Sequence, residues 1–273
     1  MTSVTFFVFL VNFAFGLVVC LTLVPRAETG SGFHRFNAMT AAILLAIAVV
    51  LRLARPGEPG GEFSPSLFGT ASAVAFCAAC LALWAALRTE WDLGHRAALA
   101  LAVASGFAAV LGYAADFGGR FADNGWFRAL LVAHALASSL VLGSVTFTMI
   151  LGHWYLVVPR LSIRFLQKHA RIFLGSILGR LALALVSLGL YAAFGFPGAF
   201  RLSAESLVSD GFFLVPRFLF GVAGALVLAF LVVRTAAIGS TQSCTGILYG
   251  AVVLVLFGEL SASWLLVSQA LLL

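Results

Sequence analysis

Three side chains in this chain are placed where chemistry is costly and therefore informative. Glu259 lies in Phe257-Gly258-Glu259-Leu260-Ser261, Arg180 in Leu178-Gly179-Arg180-Leu181, and His134 about eight residues into a long apolar run. Ionisable groups inside an apolar span are rare and usually face a partner, a cavity or a substrate. Three readings follow, one of them that a backbone carbonyl holds Glu259 protonated. Glu259 and Arg180 form an ion pair that locks two helices together. Alternatively, burial favours the neutral carboxyl, and Glu259 exchanges protons with a substrate or quinol beside His134. By helical rise, Glu259 and His134 fall in one half of the membrane and Arg180 towards the other. The Arg180–Glu259 offset is then roughly 10 Å, which two long side chains nearly bridge. Asn12 is a further polar residue inside a run.

The histidines raise a second possibility. His34, His95, His153 and His169 fall at helix ends or in loops. A haem b needs two histidines facing each other from different helices, and His95 with His153 is the pair at similar depth. His134 and His153 are 19 residues apart on one helix, about 100° out of register, which argues against two haems stacked along it. Otherwise these residues hydrogen-bond headgroups, water or loop carbonyls. Cys77 and Cys80 read as small packing residues rather than a metal pair, and no metal site is expected. Phosphate-loop, Gly-x-Ser-x-Gly and His-Glu-x-x-His motifs are absent from the sequence, as are paired aspartate-rich motifs. No catalytic residue is therefore assigned.

The elements that position these groups follow from composition. The chain has 273 residues, 62% hydrophobic and 10% charged, with mean hydropathy +1.11. Soluble domains carry roughly 25% charged residues, so a soluble enzyme, a nucleic-acid binder and a disordered protein are excluded. The net charge of +6 belongs to membrane loops instead. Eight segments are long and apolar enough to span, at roughly 5–24, 38–54, 67–87, 94–115, 127–157, 172–196, 213–233 and 244–271. The first reads as a retained helix, not a cleaved signal. Pro56–Pro65 reads as a loop, and Trp126, Trp154 and Tyr155 as interfacial belt residues.

Basic residues set the expected orientation. Arg26, Arg35, Arg88, Arg96, Arg160, Arg164, Lys168, Arg171 and Arg234 make nine on one side; Arg52, Arg55, Arg120, Arg128, Arg201 and Arg217 make six on the other. The nine-residue side is expected to be cytoplasmic, with both termini outside a bacterial-type inner (plasma) membrane. On this placement 24 of the 26 charges sit in loops or at helix ends, leaving Arg180 and Glu259 for the interior. The loop Arg160–Arg171 alternates basic and apolar residues, a pattern suited to an anionic leaflet or a partner subunit.

A repeat is visible. Leu23-Val24-Pro25-Arg26 matches Val157-Val158-Pro159-Arg160, and Leu67-Phe68-Gly69 matches Leu219-Phe220-Gly221, in the same order. This predicts an all-α fold of two four-helix bundles in a tandem four-plus-four arrangement, 1–125 and 126–273, with their interface a place for a ligand.

Eight spans, both termini outside and two bundles resemble the quinone-interacting membrane anchors of the polysulfide and dimethyl sulfoxide reductase families. The resemblance covers the layout of the whole chain and rests on no shared motif. It implies a non-catalytic subunit of a respiratory complex, without haem, that binds quinone and passes protons to or from a redox partner. Carried over, His134 hydrogen-bonds a quinone oxygen, Glu259 accepts the proton and Arg180 partners Glu259. Family sites lie mainly in the first bundle, whereas these residues come from the second; the first offers Asn12, Asp92, His95, Tyr113 and Asp116. The alternatives are a secondary transporter or channel built on Glu259 and Arg180, and a haem b carrier using His95 and His153.

Overall fold

The computed structural model describes residues 2–54, 66–89, 92–117, 125–158, 161–194 and 212–273. Among them there is no strand, because hydrocarbon forces each segment to satisfy its own backbone and the apolar runs do so as helices. The helices are α1 (Thr2–Leu21), α2 (Arg26–Leu53), α3 (Leu67–Ala86), α4 (Asp92–Asp116), α5 (Gly125–Val157), α6 (Arg164–Phe194), α7 (Phe212–Ala237) and α8 (Thr241–Gln269). All eight are long and apolar enough to cross a membrane, and the chain is a multi-pass membrane protein.

Two expected boundaries move. His34 and Arg35 lie inside α2, which starts at Arg26 and bends at Gly30, where φ is +81°. Residues 164–171, expected in a loop, are already α6. The expected loop Pro56–Pro65, the Trp126 side chain, and Arg55, Arg120, Pro159, Arg160 and Arg201 lie outside the described residues and side chains.

Packing closes each run of four helices into a ring. α1 packs on α2, α2 on α3, α3 on α4, and α4 back on α1; the contacts of α5 to α8 run the same way. The rings meet along α1 and α5, with α4 touching α5 and α1 touching α8. That seam is possible because Gly16 and Gly143 bring the two backbones into contact; a Cβ on either would lie inside the other helix. Gly69 and Gly221, matched in the sequence, occupy comparable crossings. Gly69 lies against Gly112 of α4, and Gly221 against Gly258 of α8. α1 and α5 are the most deeply buried helices, while α2, α3, α6 and α7 present apolar faces outward to lipid.

Candidate functional site: a buried charge centre and an apolar groove

The centre is built from four helices of the second ring. Glu259 is the nineteenth residue of α8, 1% exposed, directly after the Gly258 crossing. Arg180 reaches it from α6 through Nε to Oε1 and Nη2 to Oε2, both 3.2 Å. This two-pronged geometry pairs two donors with two carboxylate oxygens. Ser138 of α5 is buried beside this pair, on the wall of the adjoining cavity. The expected depth difference between Arg180 and Glu259 is thus absorbed by the arginine side chain.

A second arginine was not expected there. Arg217, assigned to a loop by the charge count, is 0% exposed inside α7, and its Nη1 donates to Glu259 Oε1 at 2.7 Å. The physical reason is local. After Pro216, residues 216–224 wind as a π-helix, wider than an α-helix. The Gly221–Gly258 contact then draws α7 against α8, so Arg217 turns inward. Its flanks, Val215-Pro216 and Phe218-Leu219-Phe220, are apolar on both sides, which is the signal that places it inside a span. The expectation of two charges in the interior is therefore corrected.

His134 joins the same centre. Arg180 Nη1 donates to its Nδ1, so Nε2 carries the ring proton and donates to Ser187 Oγ at 2.7 Å. Beside it lies a cavity of about 20 Å³ at the seam, lined by Asn12, Tyr113, His134, Ser138 and Arg180 among others. Tyr113 donates to Asn12 Oδ1 at 2.8 Å and Ser139 approaches the same oxygen at 3.4 Å. Polar groups of both rings therefore converge on one small space. Glu259, read from the sequence as a lone carboxyl able to take a proton, is instead clasped by two guanidinium groups, which match a carboxylate.

A larger space lies one turn away. Ala129, Leu130 and Ala133 of α5 and Leu190 and Phe194 of α6 line an apolar groove of about 600 Å³. Ala133 precedes His134 and Leu190 follows Ser187 by one turn, but the residues lining the groove are all apolar, and the His134–Ser187 hydrogen bond is buried behind them.

A separate ion pair ties the first ring. Arg52 Nη2 donates to Asp116 Oδ2 at 2.6 Å, and both side chains are buried. Arg52 Nε also donates to Thr70 Oγ1, and its guanidinium lies 4.7 Å from the Phe7 ring centroid. Asp116 Oδ1 accepts from the Ser66 backbone N–H at 2.9 Å. Arg52 was counted as a loop residue and Asp116 as a helix end; together they fasten the ends of α2, α3 and α4.

The remaining histidines are not interfacial as a group. His34, His95 and His169 are buried, and His34 packs against His95 with ring centroids 5.7 Å apart. His153 is exposed, so the haem candidates His95 and His153 differ in surroundings. Trp154 donates to Thr29 O at 3.0 Å and is anchored to the protein. No group of three or more possible metal ligands occurs among the described residues.

Fold and centre together define a polytopic helical membrane protein with an Arg–Arg–Glu–His cluster buried beside the seam of two four-helix rings. Comparison with known proteins finds no matching family, no matching characterised protein and no matching solved structure.

Proposed function

We propose that the chain is a quinone-interacting membrane subunit of a redox complex. The observation that carries this reading is the 600 Å³ apolar groove lined by α5 and α6, whose residues Ala133 and Leu190 are chain neighbours of the buried His134–Ser187 hydrogen bond. A groove of that size is within the range of small-molecule sites, and its wholly apolar lining suits an apolar ligand entering from the bilayer. A quinone enters it sideways from lipid, with its ring against Leu130 and Leu190, and one carbonyl reaches the fully buried Ser187 only when the side chains covering it move aside. Because His134 Nε2 donates to Ser187 Oγ, the serine proton is free to donate to that carbonyl. His134, held by Arg180 at Nδ1, fixes the Ser187 hydroxyl as a hydrogen-bond donor, and the proton taken up on quinone reduction comes from water at the membrane surface. Glu259 serves as the fixed counter-charge that holds Arg180 against His134 Nδ1. The redox cofactors belong to a partner; the exposed basic stripe Arg164, Lys168 and Arg171 on α6 suits docking on that partner or on anionic headgroups.

A secondary transporter rocking between the rings must open the seam, and backbone contact between Gly16 and Gly143 weighs against that motion. The test is photolabelling of the full chain in nanodiscs with an azidoquinone. Label is expected in 129–133 and 190–194, displaced by a short-chain quinone but not by an alkane. Ser187→Ala is expected to weaken quinone binding about 3- to 10-fold, the worth of one neutral hydrogen bond. Labelling confined to other helices overturns the proposal.

A further inference from the structure

Residues 270–273 leave α8 against local preference. The helix ends at Gln269, and Ala270 turns left-handed at φ +61°, the one non-glycine with positive φ among the described residues. The Ala270 and Leu271 N–H groups close the helix on the Leu266 and Leu265 carbonyls. Leu271, Leu272 and Leu273 then fold back into the protein and are only 1%, 2% and 5% exposed. The Leu272 N–H donates to the Tyr191 hydroxyl of α6 at 2.9 Å. A turn that strains an alanine persists only where the contacts beyond it hold it in place.

Those contacts lie at the seam. The three leucines line its cavity together with Val8, Leu131 and Leu266. At the helical rise, these last three stand within about 10 Å of the start of α1, the start of α5 and the end of α8, all at one face of the bundle. Asn12, Ser138 and Arg180, on the wall of the same cavity, lie about 15–20 Å below that face. Residues 270–273 therefore stand between the polar centre and the nearer membrane face. We propose that this segment is an apolar stopper that keeps water at that face away from the centre of Arg180, His134 and Glu259. Without it, the volume of three leucine side chains opens into a cavity that already has polar walls. The bonds among the three polar residues are strong because water is excluded, and water reaching them would weaken each one.

The test uses the full chain in nanodiscs carrying Ala135→Cys, a position on the cavity wall that is 4% exposed. The probe is a charged methanethiosulfonate, which does not cross lipid. With residues 270–273 in place, the new thiol is expected to stay unmodified. Deleting the four residues is expected to speed its labelling about tenfold or more. Cys20 and Cys244, buried at the opposite ends of α1 and α8, are expected to keep the rate they have in the unaltered chain. Equal labelling of the new thiol with and without the segment overturns the proposal. So does a matching rise at Cys20 and Cys244, which means that the whole bundle has loosened. If the shortened chain does not fold, Leu272→Gly with Leu273→Gly keeps the backbone, removes two of the three side chains and is judged by the same comparison. Azidoquinone labelling reads the lipid-facing groove, so each proposal fails separately.

Discussion

The two buried ion clusters use the same residue types for different ends. Arg52–Asp116 is one cation against one anion, placed where three helices end. The carboxylate uses both oxygens on Arg52 and the Ser66 N–H, and the guanidinium also reaches Thr70. It is a closed staple. Arg180, Arg217 and Glu259 lie inside their helices, with two cations on one anion, a histidine hydrogen-bonded to one of them, and a cavity beside them. The contrast teaches that burial of charge alone does not mark function. The clusters differ in the ratio of guanidiniums to side-chain carboxylates and in the cavity beside one of them.

Breaking each cluster should separate them. Glu259→Gln strips two guanidiniums of their counter-charge and is expected to have the largest effect. Removing one partner of a single buried pair costs about 3–5 kcal/mol, and here two pairs break. The expected readout is little or no folded protein in size-exclusion of detergent extracts. Adding Arg217→Gln to Glu259→Gln should recover part of the loss, because one orphaned charge goes with it. Asp116→Asn should cost less, about 3 kcal/mol, since Arg52 keeps Thr70 and the Phe7 face. Thermal unfolding in detergent checks the order; equal losses for the two acids would erase the distinction.

The glycine crossings sharpen it further. A Cβ on Gly258 would meet the backbone of Gly221, whereas one on Gly69 meets the side chains of Asp116 and Arg52. Side chains yield more readily than backbone. Gly258→Ala is therefore expected to exceed Gly69→Ala in lost stability, both within about 1–3 kcal/mol as overpacking costs. The same unfolding assay reads both.

Composition and apolar run length made the fold class and all eight spans legible, because hydrocarbon leaves the backbone few options. Glu259, Arg180 and His134 were legible too, as ionisable groups amid apolar neighbours. Arg217 was not, although it stands five residues into its own apolar run, because a charge near a span's start reads as snorkelling to the interface. Only the π-helical winding and the Gly221–Gly258 contact turn it inward. Arg52–Asp116 escaped notice for another reason. The partners are 64 residues apart, and nothing local tells a helix-end arginine facing solvent from one facing a carboxylate. His34 and His95 likewise meet from different helices, which spacing along one chain does not encode.

The smallest effect comes from the pair at the surface. Arg26 Nη1 lies 3.5 Å from Asp92 Oδ1, and the aspartate side chain is 77% exposed. Arg26 also donates to the Thr89 carbonyl, so it keeps a partner when the carboxylate is removed. Water solvates both charges, salt screens them, and holding two flexible side chains together opposes the attraction. Asp92→Asn is therefore expected to change stability by less than about 1 kcal/mol, with the residual effect disappearing in high salt. The same carboxylate-to-amide change would then span nearly the whole scale across Glu259, Asp116 and Asp92. The controlling variable is how far water is excluded from the cation left behind. A loss at Asp92 matching that at Asp116 would mean that the ends of α2 and α4 are sealed from water, and the staple would extend across the first ring.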